Sequence, residues 1–117
     1  MDRMARVNEM MKREIGTMIQ MDIHNPELEF VTITNVNVSK DLQVARVSFS
    51  VLGDEKKVQN VTRILSGISG QVRKLVGQRI RLRYTPKIEF VYDKSIEYGA
   101  QIERALEEIR KENSGKE

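Results

Sequence analysis

The sequence contains no cysteine, no tryptophan, a single histidine and two prolines among 117 residues. Without cysteine there is no disulfide scaffold, no thiolate metal site and no cysteine nucleophile. A reducing compartment permits such a composition, and the cytoplasm is the expected location. The one histidine, His24, cannot build a multi-histidine metal site. It falls in the polar break His24-Asn25-Pro26 between two periodic segments and reads as a loop residue. No run approaches the ~18 consecutive apolar residues of a membrane span. The opening Met-Asp-Arg-Met-Ala-Arg lacks the apolar core of a signal peptide. Aromatics are scarce as well, with three phenylalanines and three tyrosines. Most fall at inward strand positions, which speaks against an aromatic platform for stacking single-stranded bases.

What the chain does have is charge. Apolar residues make up 39% and charged residues 32%. That is enough apolar matter for one domain of ordinary size, and too much for wholesale disorder. The net charge of +3 is unevenly spread: residues 54–92 carry nine bases against three acids, residues 93–117 five against seven. From Val58 to Ile88 there is no acid, and the stretch holds Arg63, Arg73, Lys74, Arg79, Arg81, Arg83 and Lys87. Clustered base without interleaved acid is the electrostatic footprint of a polyanion partner. A merely solvated face mixes signs. On charge alone RNA, DNA and an anionic membrane surface all stay open.

Asp2 is a candidate helix cap. Val7, Met11, Ile15, Met18 and Ile19 then recur at helical spacing, with Met10 and Ile23 widening the stripe, so a helix is predicted over about 3–22. The β-branched run Phe30–Val38 predicts a strand, with a bulge where the apolar phase shifts between Ile33 and Val36. Ser39-Lys40-Asp41-Leu42 reads as a turn, and the alternation Ala45, Val47, Phe49, Val51 as the second strand of a hairpin. Gly53-Asp54 caps a stripe of Val58, Val61, Leu65, Ile68, Val72 and Leu75. Gly67 and Gly70 interrupt it, which predicts two helices, or one sharply kinked helix, ending at Gly77. Ile80, Leu82 and Tyr84 alternate with Arg79, Arg81 and Arg83 as a strand that Pro86 interrupts and Ile88, Phe90 and Tyr92 resume. Ser95 is placed to cap a last helix. The fold class is α+β: three strands in one sheet with helices on one face.

The turn Gly67-Ile68-Ser69-Gly70 matches the G-x-x-G by which KH domains clamp nucleotides between two helices. A helix start there would aim N–H groups and a positive dipole end at a phosphate. Arg73 and Lys74 follow on the next turn, and Arg79, Arg81 and Arg83 line one side of the next segment. The alternative is plainer: Gly67 ends one helix, Gly70 allows close packing, and the arginines cover apolar surface with their stems. No nucleophile–base–orienter set is present. Asp93 and Glu97 near Tyr98 read as carboxylates facing water rather than as a metal site. The expectation is a binder and not an enzyme, with no cofactor, metal or small-molecule substrate, working as a monomer.

Several stretches resemble the bacterial ribosome-binding factor A family, in order and over nearly the whole chain to about residue 110. They are Arg6-Val7, Val31-Thr32-Ile33-Thr34 with Val36, Ser39 with Asp41-Leu42, and Val51-Leu52-Gly53-Asp54. Ser69-Gly70 with Arg73, Arg79-Ile80-Arg81-Leu82-Arg83 with Thr85-Pro86, and Phe90-Val91-Tyr92-Asp93 with Ser95-Ile96-Glu97-Tyr98-Gly99 complete the set. Where the family's kink usually reads Ala-x-Gly, Ile68 stands at the Ala position, bulkier and β-branched.

The resemblance implies a type II KH fold over residues 1–95, with 96–117 as a helical extension whose end frays. It implies a factor that binds free small ribosomal subunits late in assembly, supports 5′-end maturation of 16S rRNA and matters most in the cold. The RNA-facing residues are then Gly67, Ile68, Ser69, Gly70, Arg73, Lys74, Arg79, Arg81 and Arg83, with Arg3, Arg6, Lys12 and Arg13 of the first helix adding contacts. A KH-like binder of another structured RNA and a protein–protein adaptor are the alternatives.

Overall fold

Asp2 sets the start of the first helix. Its carboxylate accepts the Ala5 N–H at 2.7 Å, supplying one of the partners that the first N–H groups of a helix lack. In this computed structural model, which describes residues 2–94 and 105–110, helix α1 spans Arg3–Thr17 and runs on into one π-helical turn, Met18–Asp22. Val7, Met11, Ile15, Met18 and Ile19 form the buried stripe, whereas Met10, expected to widen it, lies outward. His24 is exposed ahead of a 3-10 turn, Pro26–Leu28.

Strands β1 (Val31–Val38) and β2 (Val44–Val51) pair antiparallel. Their register shifts between Ile33 and Asn35, where the apolar phase shifts. Thr34 is the extra residue of this bulge, and its hydroxyl donates to Asp93 Oδ2 at 2.7 Å. The tight turn puts Leu42 at φ 60°, a region that costs a residue with a Cβ about 1–2 kcal/mol. Two features hold it there. The Ser39 hydroxyl and the Gln43 N–H both donate to Asp41 Oδ1, and the Leu42 side chain packs partly on the core.

Gly53 has φ 146°, and an added Cβ would sit 2.7 Å from the Lys57 side chain. Asp54 then caps helix α2, Glu55–Arg79, by accepting the Lys57 N–H at 2.9 Å. The expected break into two helices does not occur: one helix runs unbroken through Gly67-Ile68-Ser69-Gly70. Val61, Leu65, Val72 and Val76 are buried along one side, with Ile64, Ile68 and Leu75 packed beside them. This stripe holds the helix together, and nothing lies within 4 Å of a Cβ added at Gly67 or Gly70. Gly77 does not end α2 either. It lies inside the helix, where Thr85 Oγ1 would be 3.1 Å from a Cβ, so its bareness lets the returning chain lie close.

Strand β3, Lys87–Tyr92, runs parallel to β2 at the edge of a sheet ordered β1-β2-β3. The strand expected over residues 79–84 does not form. Parallel pairing starts at Val44↔Lys87, so residues before Lys87 would need partners before Val44, and those belong to the hairpin turn. Residues 80–86 are an irregular return segment instead, bent at Ile80 and at Arg83-Tyr84, with Ile80 and Pro86 buried, Leu82 and Thr85 half-buried, and Arg81, Arg83 and Tyr84 exposed. The inward–outward alternation persists to Arg83 without a ladder. Helix α1 packs on β1 and α2 on β3, over a core that includes Ile33, Val36, Ala45, Val47, Phe49 and Ile88. The expected two-layer α+β arrangement is the one observed. Residues 105–110 are helical and exposed. The expected Ser95 cap and the rest of the C-terminal extension lie outside the described residues.

Gly67→Ala and Gly70→Ala should each raise stability in urea unfolding by about 0.4–1 kcal/mol, because helical backbone and open space accept a methyl group. Gly53→Ala should lower it by more than about 1 kcal/mol. A stabilised Gly53→Ala variant would contradict the turn geometry.

Candidate nucleic-acid interface

The residues expected to face RNA fall in three places. Gly67-Ile68-Ser69-Gly70 lies in the middle of α2. The backbone N–H groups there are inside a continuous helix, so the free donors of a helix start are not present. The Ser69 hydroxyl donates to the Ser66 carbonyl at 2.9 Å, and Ile68 packs partly on the core. What remains is a bare stretch of backbone surface at the two exposed glycines.

The second place is the C-terminal half of α2 with the return segment, and its cations divide into two kinds. Arg73 donates from Nε and Nη2 to the Thr85 carbonyl, at 3.2 and 3.0 Å. Together with the close approach at Gly77, this straps the return segment onto the helix. Arg79 donates twice to the Asp22 carboxylate, at 2.9 and 2.7 Å, joining the end of α2 to the end of the π turn. The hydrogen bond from Arg79 holds the Asp22 carboxyl below its usual range. Lys74, Arg81 and Lys87 are exposed, and their side chains have no hydrogen-bond or ion-pair partner among the described residues. Arg83 is exposed too, its guanidinium carbon 5.5 Å from the centroid of the Tyr84 ring.

The third place is α1, where Arg3, Arg6 and Arg13 are exposed and Lys12 is half-buried. Arg3 and Arg6 lie roughly 25 Å along the helix axis from the Asp22–Arg79 pair, at 1.5 Å per residue. They form a patch of their own.

Sequence reasoning counts Lys87 only in the acid-free stretch and places Tyr84 inward, so neither enters the expected interface. Among the described aromatics Phe49, Phe90 and Tyr92 turn inward as expected, whereas Tyr84, placed inward by the strand reading, is 54% exposed and Phe30 is 58% exposed. Among the described residues no group of three or more His, Cys, Asp or Glu side chains gathers as a metal site, and no helix is long and apolar enough to cross a membrane. Asp93, weighed as a metal ligand, accepts the Thr34 hydroxyl; Glu97 lies outside the described residues.

Fold and surface together define a small basic α+β domain in which Arg81 and Arg83 stand exposed on a strapped segment between Lys74 of α2 and Lys87 of β3. The family model for ribosome-binding factor A matches residues 3–106, and the chain belongs to that family. The crystal structure of ribosome-binding factor A from Thermus thermophilus is similar at 26% identity and a TM-score of 0.70, over 78% of this chain and 97% of that one. The solution structure of a putative ribosome-binding factor A from Thermotoga maritima is similar at 29% identity and a TM-score of 0.61, over 74% of this chain and 87% of that one. A Thermus thermophilus ribosome-binding factor A homology model, fitted into the cryo-EM map of a 30S complex, is similar at 26% identity and a TM-score of 0.62, over 74% and 91%.

Asp22 is held below its usual range by Arg79, Glu27 by the 2.8 Å hydrogen bond from Lys57, and Asp41 by the Ser39 hydroxyl. A lowered folded-state value means that the contribution to stability is complete above the ordinary range near pH 4 and is lost as pH falls through the folded values. Urea unfolding should therefore show stability falling from about pH 5 to about pH 3. Arg79→Gln should make that fall shallower. A variant profile parallel to the wild type would show that the Asp22–Arg79 pair adds nothing to stability.

Proposed function

We propose that this chain binds free small ribosomal subunits through 16S rRNA and acts without bond chemistry, as a cytoplasmic monomer. Membership of the ribosome-binding factor A family over residues 3–106 is the observation that carries the reading. A relative of known fold has been fitted into a 30S complex. The factor binds late in subunit assembly and favours some rRNA conformers over others by differential affinity. In this way it supports 5′-end processing of 16S rRNA, most of all in the cold, where misfolded rRNA helices escape slowly.

On this reading Lys74, Arg81 and Arg83 neutralise phosphates. Arg73 and Arg79, already bonded to Thr85 and Asp22, hold the surface in shape. The glycine surface at 67–70, with Ile68 and Ser69, lets a phosphodiester come close to α2. Arg3, Arg6, Lys12 and Arg13 contact a separate part of the RNA. Contact is mostly with phosphate and shape.

The test is sedimentation with purified small subunits, large subunits and joined ribosomes at low and moderate salt. Wild-type protein should be retained on small subunits alone. Arg81→Glu with Arg83→Glu should weaken retention at least tenfold and lower the slope of log affinity against log salt by about 1.4–1.8, two phosphate contacts' worth. Equal retention on all particles, lost at moderate salt, would overturn the reading. Unchanged affinity and slope in the variant would move the contact to another face.

A further inference from the structure

We infer that Tyr84 is a stacking site for one unpaired nucleobase, next to the phosphate-binding cations. This rests on the RNA-binding reading above and adds a base contact to a surface otherwise read as contacting phosphate. Three observations combine.

The first is that the return segment is fixed from within. Ile80 and Pro86 are buried and Leu82 packs on the core. The Thr85 carbonyl is held by Arg73, and the Lys87 N–H donates to the Gln43 carbonyl at 2.9 Å. The backbone that carries residue 84 is thus tied down on both sides of it.

The second is that Tyr84 is left outside this scaffold. It is 54% exposed, and its hydroxyl has no hydrogen-bond partner among the described residues. Phe49 and Tyr92, by contrast, meet edge to face with centroids 5.8 Å apart. An exposed ring on a pinned backbone loses little freedom when a flat partner settles on it, because a tyrosine has only two side-chain torsions to order.

The third is the company it keeps. Arg83 lies over the ring at 5.5 Å, within the reach of a cation–π contact, and Arg81 is exposed two residues before it. A nucleotide offers a flat base and an anionic phosphate on either side. Ring and guanidinium groups match those two features on consecutive residues. A base within a duplex is already stacked on its neighbours, so the site selects a bulged or looped-out one. Every base has a π-face, so the identity of the base matters little.

The test uses two RNA hairpins of equal length. One carries 2-aminopurine as a single-nucleotide bulge; the other carries it paired within the stem. Affinity is read by anisotropy and stacking by 2-aminopurine quenching. Wild-type protein should prefer the bulged RNA and quench its fluorophore. Tyr84→Leu keeps bulk and apolarity but removes the aromatic face. It should lose about tenfold or more on the bulged RNA and match the wild type on the paired one, while Tyr84→Phe should retain both preference and quenching. Arg81→Glu should weaken both RNAs alike. If Tyr84→Leu binds the bulged RNA as tightly as wild type, with the same quenching, the stacking site is wrong and the RNA-binding reading stands. If wild-type protein binds neither hairpin and no small subunits, the underlying reading itself fails.

Discussion

Everything on the candidate surface depends on α2 staying helical for 25 residues. Glycines at 67, 70 and 77 each weaken a helix by about 1 kcal/mol relative to alanine. Burying a valine or leucine fully contributes about 1.5–3 kcal/mol, and α2 buries Val61, Leu65, Val72 and Val76 on both sides of Gly67 and Gly70. Packing therefore wins over propensity. Because the helix reaches Arg79, only residues 80–86 remain to bring the chain back to the start of β3. Ile80 and Leu82 turn inward in the first half of this segment. Arg81 and Arg83 point outward as a consequence of this geometry.

The fold also sorts the cations. By formal charge the acid-free stretch from Val58 to Ile88 is uniform, but its arginines do different work. Arg79 meets a carboxylate through two hydrogen bonds, the geometry that suits a planar guanidinium. Its charge is largely cancelled for a distant phosphate. Arg73 spends its donors on a backbone carbonyl and keeps its charge, but its position serves the strap. Lys74, Arg81 and Lys87 have neither engagement among the described residues. Counter-ions screen exposed charges beyond about 8 Å at physiological salt, so clustering of the unpaired cations matters more than the net charge.

Local signals were legible in the sequence and long-range ones were not. The bulge at Thr34 showed as a phase shift between Ile33 and Val36, and the caps at Asp2 and Asp54 as acids ahead of an apolar stripe. Each of these depends on neighbours within a few residues. The end of α2 did not show, because a glycine near a helix terminus reads equally as a stop or as a place of close approach. Only the position of Thr85, eight residues on, decides for Gly77. A strand over 79–84 is expected because inward–outward alternation over a few residues is the same for a paired strand and for an irregular segment lying on a core. What separates them is the β2 register, which begins at Val44↔Lys87. Likewise Asp22 and Arg79 are 57 residues apart, so nothing in the acid-free stretch marks Arg79 as already paired. At the candidate site, the run of cations is visible in the sequence, but not its division into those already hydrogen-bonded within the fold and those whose side chains have no partner among the described residues. Tyr84 was assigned inward by the same strand reading and moved outward when the strand did not form.

The strap at Arg73 and Gly77 therefore belongs to the candidate site, because it fixes the segment that carries Arg81 and Arg83. A flexible loop carrying arginines would lose backbone freedom on meeting RNA, at roughly 1–2 kcal/mol for each residue ordered. Here that ordering is part of folding: Ile80 and Pro86 are buried and Thr85 is bonded before any partner arrives. Binding then has mainly to order side chains, which costs about 0.5–1.5 kcal/mol for each long one. Much of the fit between this surface and an anionic partner is thus already made by the apolar stripe of α2 and by two hydrogen bonds to a single carbonyl.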